Sequence, residues 1–379
     1  MKVHTILSEA WRDIASGTNR TILWLLTLSF VSMGILGLDL GTIVALQNQS
    51  KMWTTSGAAI NLVQSEGQIS STSCIALHQT TTAFASKQSA QPQHPAIASD
   101  RPIGSSGALK AGPLITLSAM PAAPLESFNV TPSLAVVLRL TPSVDNKTGV
   151  WISSQLAETL QVRAGDILAT DSGPMHVAAV FSWPQDSRDQ RIAYAILNPS
   201  TSQEPFDECW ATVAPSNTAA SDLLTATAIS TPGTMNPLQI KQVNNSLGSS
   251  FDGWEQYRKR ASKYLTVALP FTALLLGFIS VRTRRVEIAD DLHCGIKKGS
   301  IWAIFALETW AWSLAALVSC AAVLLLVVRS ATSHNEALQL LAVETPMLVA
   351  ALILAQVGLA LALLPIKANQ LFTYFKERR

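Results

Sequence analysis

Four apolar blocks constrain this chain more than any other feature of its sequence. They are "TILWLLTLSFVSMGILGL" (21–38), "LTVALPFTALLLGFISV" (265–281), "IWAIFALETWAWSLAALVSCAAVLLLVV" (301–328) and "PMLVAALILAQVGLALALLPI" (346–366). Each comes near the roughly 20 residues that a helix rising about 1.5 Å per residue needs to cross about 30 Å of hydrocarbon. Only 14% of the 379 residues are charged, against about 25% in a soluble domain. The chain therefore reads as a polytopic α-helical membrane protein with four transmembrane helices. The first block is longer than a signal-peptide core, and "ALQNQ" (45–49) lacks the small-residue cleavage pattern, so it reads as an uncleaved span.

Orientation follows from Lys and Arg in short loops, because basic residues beside a span resist translocation. Arg282, Arg284, Arg285, Lys297 and Lys298 lie between the second and third blocks, and Lys367, Lys376, Arg378 and Arg379 follow the fourth. The loop after the third block has only Arg329. Both termini and the 282–300 loop are thus expected in the cytoplasm, and the long segment between spans 1 and 2 outside. The basic run "EQYRKRASKY" (255–264) is discordant with this, but long exported domains translocate largely regardless of charge. A net charge of +2, with no basic patch on one soluble segment, gives no footprint for nucleic acid.

The predicted units are an amphipathic cytoplasmic helix (1–20), spans at 21–46, 301–328 and 343–366, and a stalk with the second span at 251–282. An extracytoplasmic α+β domain fills 47–250, an elbow 283–300, an outer loop 329–342 and a tail 367–379. In the outer domain, 58–64, 114–120, 134–140, 175–183 and 194–199 read as strands and 153–160 as a helix, with Gly165-Asp166 turning the chain. The Ser-, Ala-, Gln-, Gly- and Pro-rich segment near 79–113 reads as a mobile insertion, and 244–265 as helix-compatible, a possible continuous stalk. Cys74 and Cys209 both fall outside, where oxidising conditions favour a bridge; Cys294 falls in the elbow and Cys320 in the third span.

Enzyme chemistry is hard to find. HExxH, GxSxG, GxGxxG and GxxxxGK[ST] are all missing, and "GIKKGS" lacks the glycine spacing and terminal Lys-Ser of a phosphate loop. The six histidines (His4, His78, His94, His176, His293, His334) form no i, i+4 pair, so no metal site is expected. "NVT" and "NKT" sequons occur outside but are short enough to arise by chance. Of the polar residues at the spans, Asp39 and Glu344 lie near outer ends and are expected to reach water. Glu308 lies inside the third span, where an ionisable group is costly; it is expected to pair with the arginine cluster or a neighbouring span in preference to a proton-relay role, which would want further acids at similar depth.

The stretch "RTRRVEIADDLHCGIKKGSIWAIF" (282–305) combines a helical run, a "CGIKKG" break and a return to the membrane with Ser300 as a possible N-cap. It is too short for a catalytic domain and reads either as a docking surface or as a charged loop that fixes topology. Its pattern, Arg284, Arg285, Glu287, Ile288 and Ala289, then Gly295, Lys297 and Lys298, then Glu308, is similar to the FtsX-like/MacB-type permeases of ABC transporters. So is the order of elements, one span, a large outer domain and three spans; and "GVWISSQLAETLQVRAGDILATDSGPMHVAAVFSWP" (149–184) resembles the outer domain of that family around its Gly-Asp turn. Asp290 and Asp291, and His293-Cys294, depart from the usual pattern before the turn.

The resemblance implies a non-catalytic permease subunit in a bacterial cell membrane, working as a dimer with an identical copy or a paralogue. It carries no cofactor itself: ATP-Mg is expected on a separate ABC ATPase subunit, contacted through Arg284, Arg285, Glu287, His293, Cys294, Gly295, Ile296, Lys297 and Lys298. An extracytoplasmic accessory protein is a possible further partner. The other class consistent with the sequence is a membrane-anchored adhesin or sensor without ATPase coupling.

Overall fold

A computed structural model describes every residue except 1–2, 18–19, 78–102, 141–148, 203, 214–217, 230–236, 369–370 and 372–379. The expected mobile insertion over 79–102, His78, His94, the "NKT" sequon and the basic residues at 376–379 lie outside the described residues. The chain divides into two compact units, Met1–Leu46 with Tyr257–Arg379, and Gln47–Gln256.

Helix α1 (Val3–Ser16) ends at Gly17, whose φ of +71° suits a residue without a Cβ. Its Ala10 is buried while Trp11 and Leu7 stand exposed. Helix α2 (Thr21–Thr55) carries the first apolar block and runs nine residues beyond 46, where the sequence placed the end of the span. The extension is polar, "QNQSKMWTT", and the α+β unit holds it at its far end.

That unit is built on eleven strands, β1 (Ile60–Ile69), β2 (Ser105–Ala111), β3 (Ile115–Leu117), β4 (Met120–Leu125), β5 (Ser127–Val130), β6 (Val150–Ser153), β7 (Ile167–Thr170), β8 (Gly173–Phe181), β9 (Ile196–Pro199), β10 (Phe206–Thr212) and β11 (Gln239–Gln242). Their order is β11-β1-β10-β2-β5-β9-β6-β8-β7-β3-β4. Pairing is antiparallel except at β5–β9 and β6–β8, which require crossovers. Ser153 caps helix α4 (Ser154–Leu160) by accepting from the Leu156 N–H, and Gly165 takes φ +100° in the turn into β7. Trp151, Phe181, Trp183 and Trp210 form the heart of one core; Ile115, Ile152, Leu156, Leu168, Val177 and Ile196 form a second.

Several expectations for this unit are corrected. Residues 134–140 are not a strand: Pro132 and Ser133 begin a turn that becomes helix α3 (Leu134–Val137), with Leu134, Ala135 and Val137 buried. The helix sits directly on β2, because a Cβ at Gly107 would meet the Leu134 backbone at 2.6 Å. Nor is 105–111 part of an insertion. It is an inner strand between β10 and β5, whose small residues, Gly107 and Ala108 among them, let neighbouring elements approach. Helix α5 spans Thr218–Thr225, and 244–252 is non-helical, so the expected continuous stalk from 244 is absent. Helix begins only at α6 (Gly253–Lys259) and breaks at Arg260-Ala261 before α7 (Ser262–Arg282).

The end of α2 is clasped by its own unit. Trp53 stacks on Phe251 at 5.8 Å between centroids, and the Asn244 and Gln242 amides donate to the Ser56 and Ala58 carbonyls at 2.9 and 2.6 Å. Arg188 donates to the Thr55 carbonyl at 3.1 Å, lies over the Trp183 ring at 4.9 Å and forks onto Asp186. A cation at a helix C-terminus both bonds the last carbonyls and meets the negative end of the dipole. The hydrogen bonds from Arg188 hold Asp186 below the usual carboxylate range.

After α7 the chain forms α8 (Arg285–His293), α9 (Lys298–Ala331) and α10 (His334–Leu363). The predicted outer loop 329–342 shrinks to two residues. Ser333 accepts from the Glu336 N–H while Glu336 accepts from the Ser333 N–H, a reciprocal cap that starts α10 early. Helices α7 and α10 pack with backbones almost touching: a Cβ at Gly277 would lie 2.1 Å from the Ala355 carbonyl oxygen, and one at Gly358 2.0 Å from that of Leu274. Close approach of this kind gives apolar helices van der Waals contact that lipid would not.

Four helical segments, Thr21–Thr55, Gly253–Arg282, Lys298–Ala331 and His334–Leu363, are long and apolar enough to cross a membrane. Phe30 (83% exposed), Ile22, Leu326 and Phe271 point outward from them. Apolar side chains arrayed along whole helices require hydrocarbon surroundings, which marks a membrane protein.

Candidate functional site: the elbow between α7 and α9

The elbow is a capped helix seated on one end of the helical bundle. Thr283 and Arg284 continue the turn of α7 through hydrogen bonds to the Ile279 and Val281 carbonyls, and α8 then sets off in a new direction. On its inner face Ile288 and Ala289 are fully buried against Val281, Ile301, Phe305, Leu359, Ala362 and Ile366. Its outer face carries Glu287 and Asp290 into the open.

At its C-terminus the Gly295 N–H donates to the Leu292 carbonyl at 3.2 Å and the Ile296 N–H to the Asp291 carbonyl at 3.0 Å. Gly295 has φ +86°. This double bond pattern around a left-handed glycine is a Schellman cap, and Ile296 supplies the accompanying apolar contact by packing on the bundle cluster. Lys297 is extended and precedes Lys298, the first residue of α9, so the helix starts two residues before Ser300, the expected N-cap. His293, Cys294, Gly295, Lys297 and Lys298 are exposed, and the Lys298 ammonium donates to the Leu364 carbonyl at 3.2 Å, beyond the C-terminus of α10. The turn is thus open in its side chains but fixed in its backbone.

Arg284 anchors the arrangement. Its guanidinium forks onto Glu287, donates to Glu308 at 2.7 Å and to Asp13 of α1 at 3.0 Å, and covers the Phe305 ring at 4.5 Å. Burial works to lower its proton affinity, but Glu287, Glu308 and Asp13 overcome this and hold it above its ordinary value. A small pocket beside it is lined by Trp24, Ser280, Phe305, Glu308, Thr309 and Trp312. On the outer side of α8, burial and the neighbouring carboxylates of Glu287 and Asp290 raise Asp291.

The sequence-predicted elbow residues are therefore divided by the structure. Arg284, Glu287 and Glu308 meet in one ion cluster, whereas Arg285 is half-buried and the 293–298 turn follows at the C-terminal end of α8. Sequence reasoning missed Asp13, whose place on the polar face of α1 was visible but whose partner, 271 residues away, was not. It also sent Asp39 and Glu344 to water. Both are buried, Asp39 completely, because Arg260 from the discordant basic run reaches Asp39 at 2.9 Å. A cation at the end of a span where the charge rule does not want one was the available signal. In the other unit Cys74 and Cys209 form a disulfide within the cluster of Val63, Ile69, Ile103 and Phe206, tying the helical turn 71–77 to β10. Among the described residues no group of three His, Cys, Asp or Glu is placed to hold a metal ion.

No protein-family model matches the chain, and no curated protein matches it. Among solved structures it is similar to the periplasmic region of MacB from Actinobacillus actinomycetemcomitans, at 14% identity and a TM-score of 0.29, over 45% of this chain and 82% of that one. A domain from a Porphyromonas gingivalis protein described as a permease is similar at 12% identity and a TM-score of 0.29, over 50% of this chain and 92% of that one. Scores this low do not establish a shared fold.

Proposed function

We propose that this chain is the membrane subunit of an ABC transporter whose ATP-Mg is bound and hydrolysed by a separate ATPase chain. The observation that carries the reading is the elbow: a Schellman-capped helix with its inner face locked into the bundle and its 293–298 turn open. A loop serving only to fix topology needs neither a buried face nor a fixed backbone. The resemblance in sequence over 284–308 and 149–184, the four apolar helices and the large α+β unit support the same reading.

In this reading both termini and the elbow face the cytoplasm of a bacterial cell, the α+β unit lies outside, and two copies or paralogues work together. Closure of the ATPase pair displaces the elbows, and α2, clasped at its far end by the outer unit, carries the motion across. The spans hold few ionisable side chains with which to line an aqueous path, so the work is done on a substrate or accessory protein at the outer face. The chain itself performs no catalysis. Lys297, exposed on the turn, is suited to an acidic ATPase surface, while Lys298 also steadies the end of α10.

The test replaces Gly295–Lys298 with serines in the full chain and measures co-purification of the ATPase and stimulation of its hydrolysis. Loss of both, with the apolar bundle intact by thermal unfolding, is expected. An unchanged complex and unchanged stimulation refute the docking site, and failure to recover any ATPase with the unaltered chain favours the anchored-sensor class.

A further inference from the structure

The basic run "EQYRKRASKY" (255–264) has no part in the function proposed above. The structure divides its cations by what they meet. Arg260, in the break between α6 and α7, turns inward: it donates to both oxygens of the buried Asp39 on α2, at 2.9 and 3.2 Å, and lies over the Tyr257 ring at 3.9 Å. Arg258 and Lys259 are exposed and Lys263 is half-buried. The Lys263 ammonium donates to the Arg258 carbonyl and stands 4.9 Å from the centre of the Tyr264 ring, so these three cations share the start of α7. Asp39 neutralises Arg260, and Glu255 is the one acid in the run, which leaves an excess of positive charge here.

Directly along the helix from these cations runs an apolar stripe. Tyr264 (71% exposed), Val267, Phe271, Leu275 and Ile279 recur every three or four residues, on the face opposite the buried Leu269, Ala273 and Leu276. At about 1.5 Å per residue the stripe is about 22 Å long. Basic residues at this end also run against the charge bias that places the elbow's cations inside, so topology does not account for them. An amphiphile with an anionic head and a hydrocarbon tail complements both parts at once. A free anion would leave the stripe uncovered. A second copy of the chain would cover the stripe, but two copies in one membrane share an orientation, so contact through this face would set their basic clusters against each other at the same depth.

We infer that the start of α7 binds an acidic phospholipid, with its phosphate held by Arg258, Lys259 and Lys263 and an acyl chain laid along Tyr264, Val267 and Phe271. A zwitterionic lipid offers the same phosphate but brings its own cation, so the positive excess selects a head of net negative charge. Tyr264 stands at the boundary between the two, where a ring with a polar tip suits the half-wet interface. In the orientation proposed above this is the outer leaflet. The site uses none of the elbow residues, so it and the ATPase reading can fail separately.

The experiment titrates the full chain, in neutral maltoside micelles, with phosphatidylglycerol, phosphatidylcholine and inorganic phosphate, and counts bound lipid by native mass spectrometry. The wild type is expected to bind phosphatidylglycerol saturably and in preference to phosphatidylcholine, with the preference falling as salt rises. Arg258→Gln, Lys259→Gln and Lys263→Gln together are expected to weaken phosphatidylglycerol by about fivefold per charge removed while leaving phosphatidylcholine unchanged. If the triple variant melts early without lipid, Arg258→Gln alone carries the test, with a loss of about fivefold. Tyr264→Ser with Phe271→Ser is expected to weaken both lipids alike, and Lys367→Gln, at the other end of the bundle, to change neither. Equal wild-type affinity for the two lipids overturns the proposal, as does an equal loss in Lys367→Gln, which would make the attraction a general one. Displacement of phosphatidylglycerol by an equal concentration of inorganic phosphate would assign the cations to a free anion. Conversion of a dimer to a monomer by Tyr264→Ser with Phe271→Ser, with lipid binding unchanged, would assign the stripe to a second copy.

Discussion

Replacing Arg284 with Met tests the ion cluster that fixes the elbow. The Arg284 and Glu308 side chains are 9% and 6% exposed, and their contact is 2.7 Å. Removing one partner of such a pair costs about 3–5 kcal/mol, because the other is left buried and uncompensated. Asp13 and Glu287 are more exposed and can turn to water, so they add little. Arg284→Met is therefore expected to destabilise the full chain by about 3–4 kcal/mol, measured as unfolding by SDS in mixed micelles. Arg284→Met with Glu308→Met removes both charges and is expected to recover most of the loss, a coupling of about 3 kcal/mol in the double-mutant cycle. If the two single losses simply add, or if Arg284→Met costs under about 1 kcal/mol, Arg284 does not hold the elbow by the buried pair.

Three further outcomes follow from the packing and charges described. Gly277→Ala forces a Cβ against the Ala355 carbonyl and is expected to cost about 2 kcal/mol in the same assay, whereas Gly34→Ala, with open space at its Cβ, changes stability by under about 1 kcal/mol. Cys74→Ala with Cys209→Ala opens a loop of 135 residues and is expected to cost about 5 kcal/mol in the chain-entropy account, seen as early melting of the α+β unit with the helical signal retained. The Asp186–Arg188 pair holds a carboxylate below its unfolded value, so its contribution is complete above about pH 4 and is lost as pH falls further. Asp186→Asn should accordingly flatten the acid limb of unfolding and weaken the clasp on α2 at neutral pH, read by Trp53 fluorescence.

The apolar helices and the elbow were legible in sequence because their signals are local. A run of some twenty apolar residues specifies a spanning helix without help from the rest of the chain. Likewise, Gly295 between a charged helical run and a second apolar block marks a helix end. What could not be read depends on partners. "SSGALKA" (105–111) has the composition of a loop, and only β10 and β5 on either side make it an inner strand. "LAVVLRL" (134–140) has β-forming residues, yet the turn at Pro132-Ser133 and the room left by Gly107 make it helical. At the bundle ends, sequence gives the depth of a charge along its own helix but not the helix's rotation. Asp39 could therefore be placed near one end of its span, while its pairing with Arg260 could not be foreseen.

The account depends on the elbow and the α+β unit lying on opposite faces of a membrane, and the cysteines make this directly measurable. Of the four, Cys74 and Cys209 are joined and Cys320 is buried, which leaves Cys294 in the elbow as the exposed thiol. A second reporter, Ser172→Cys, stands on the exposed turn between β7 and β8. With a membrane-impermeant maleimide on intact cells, Ser172→Cys is expected to label at once and Cys294 only after the membrane is opened. Labelling of both from the same side would contradict the transmission of motion from an ATPase to the outer unit.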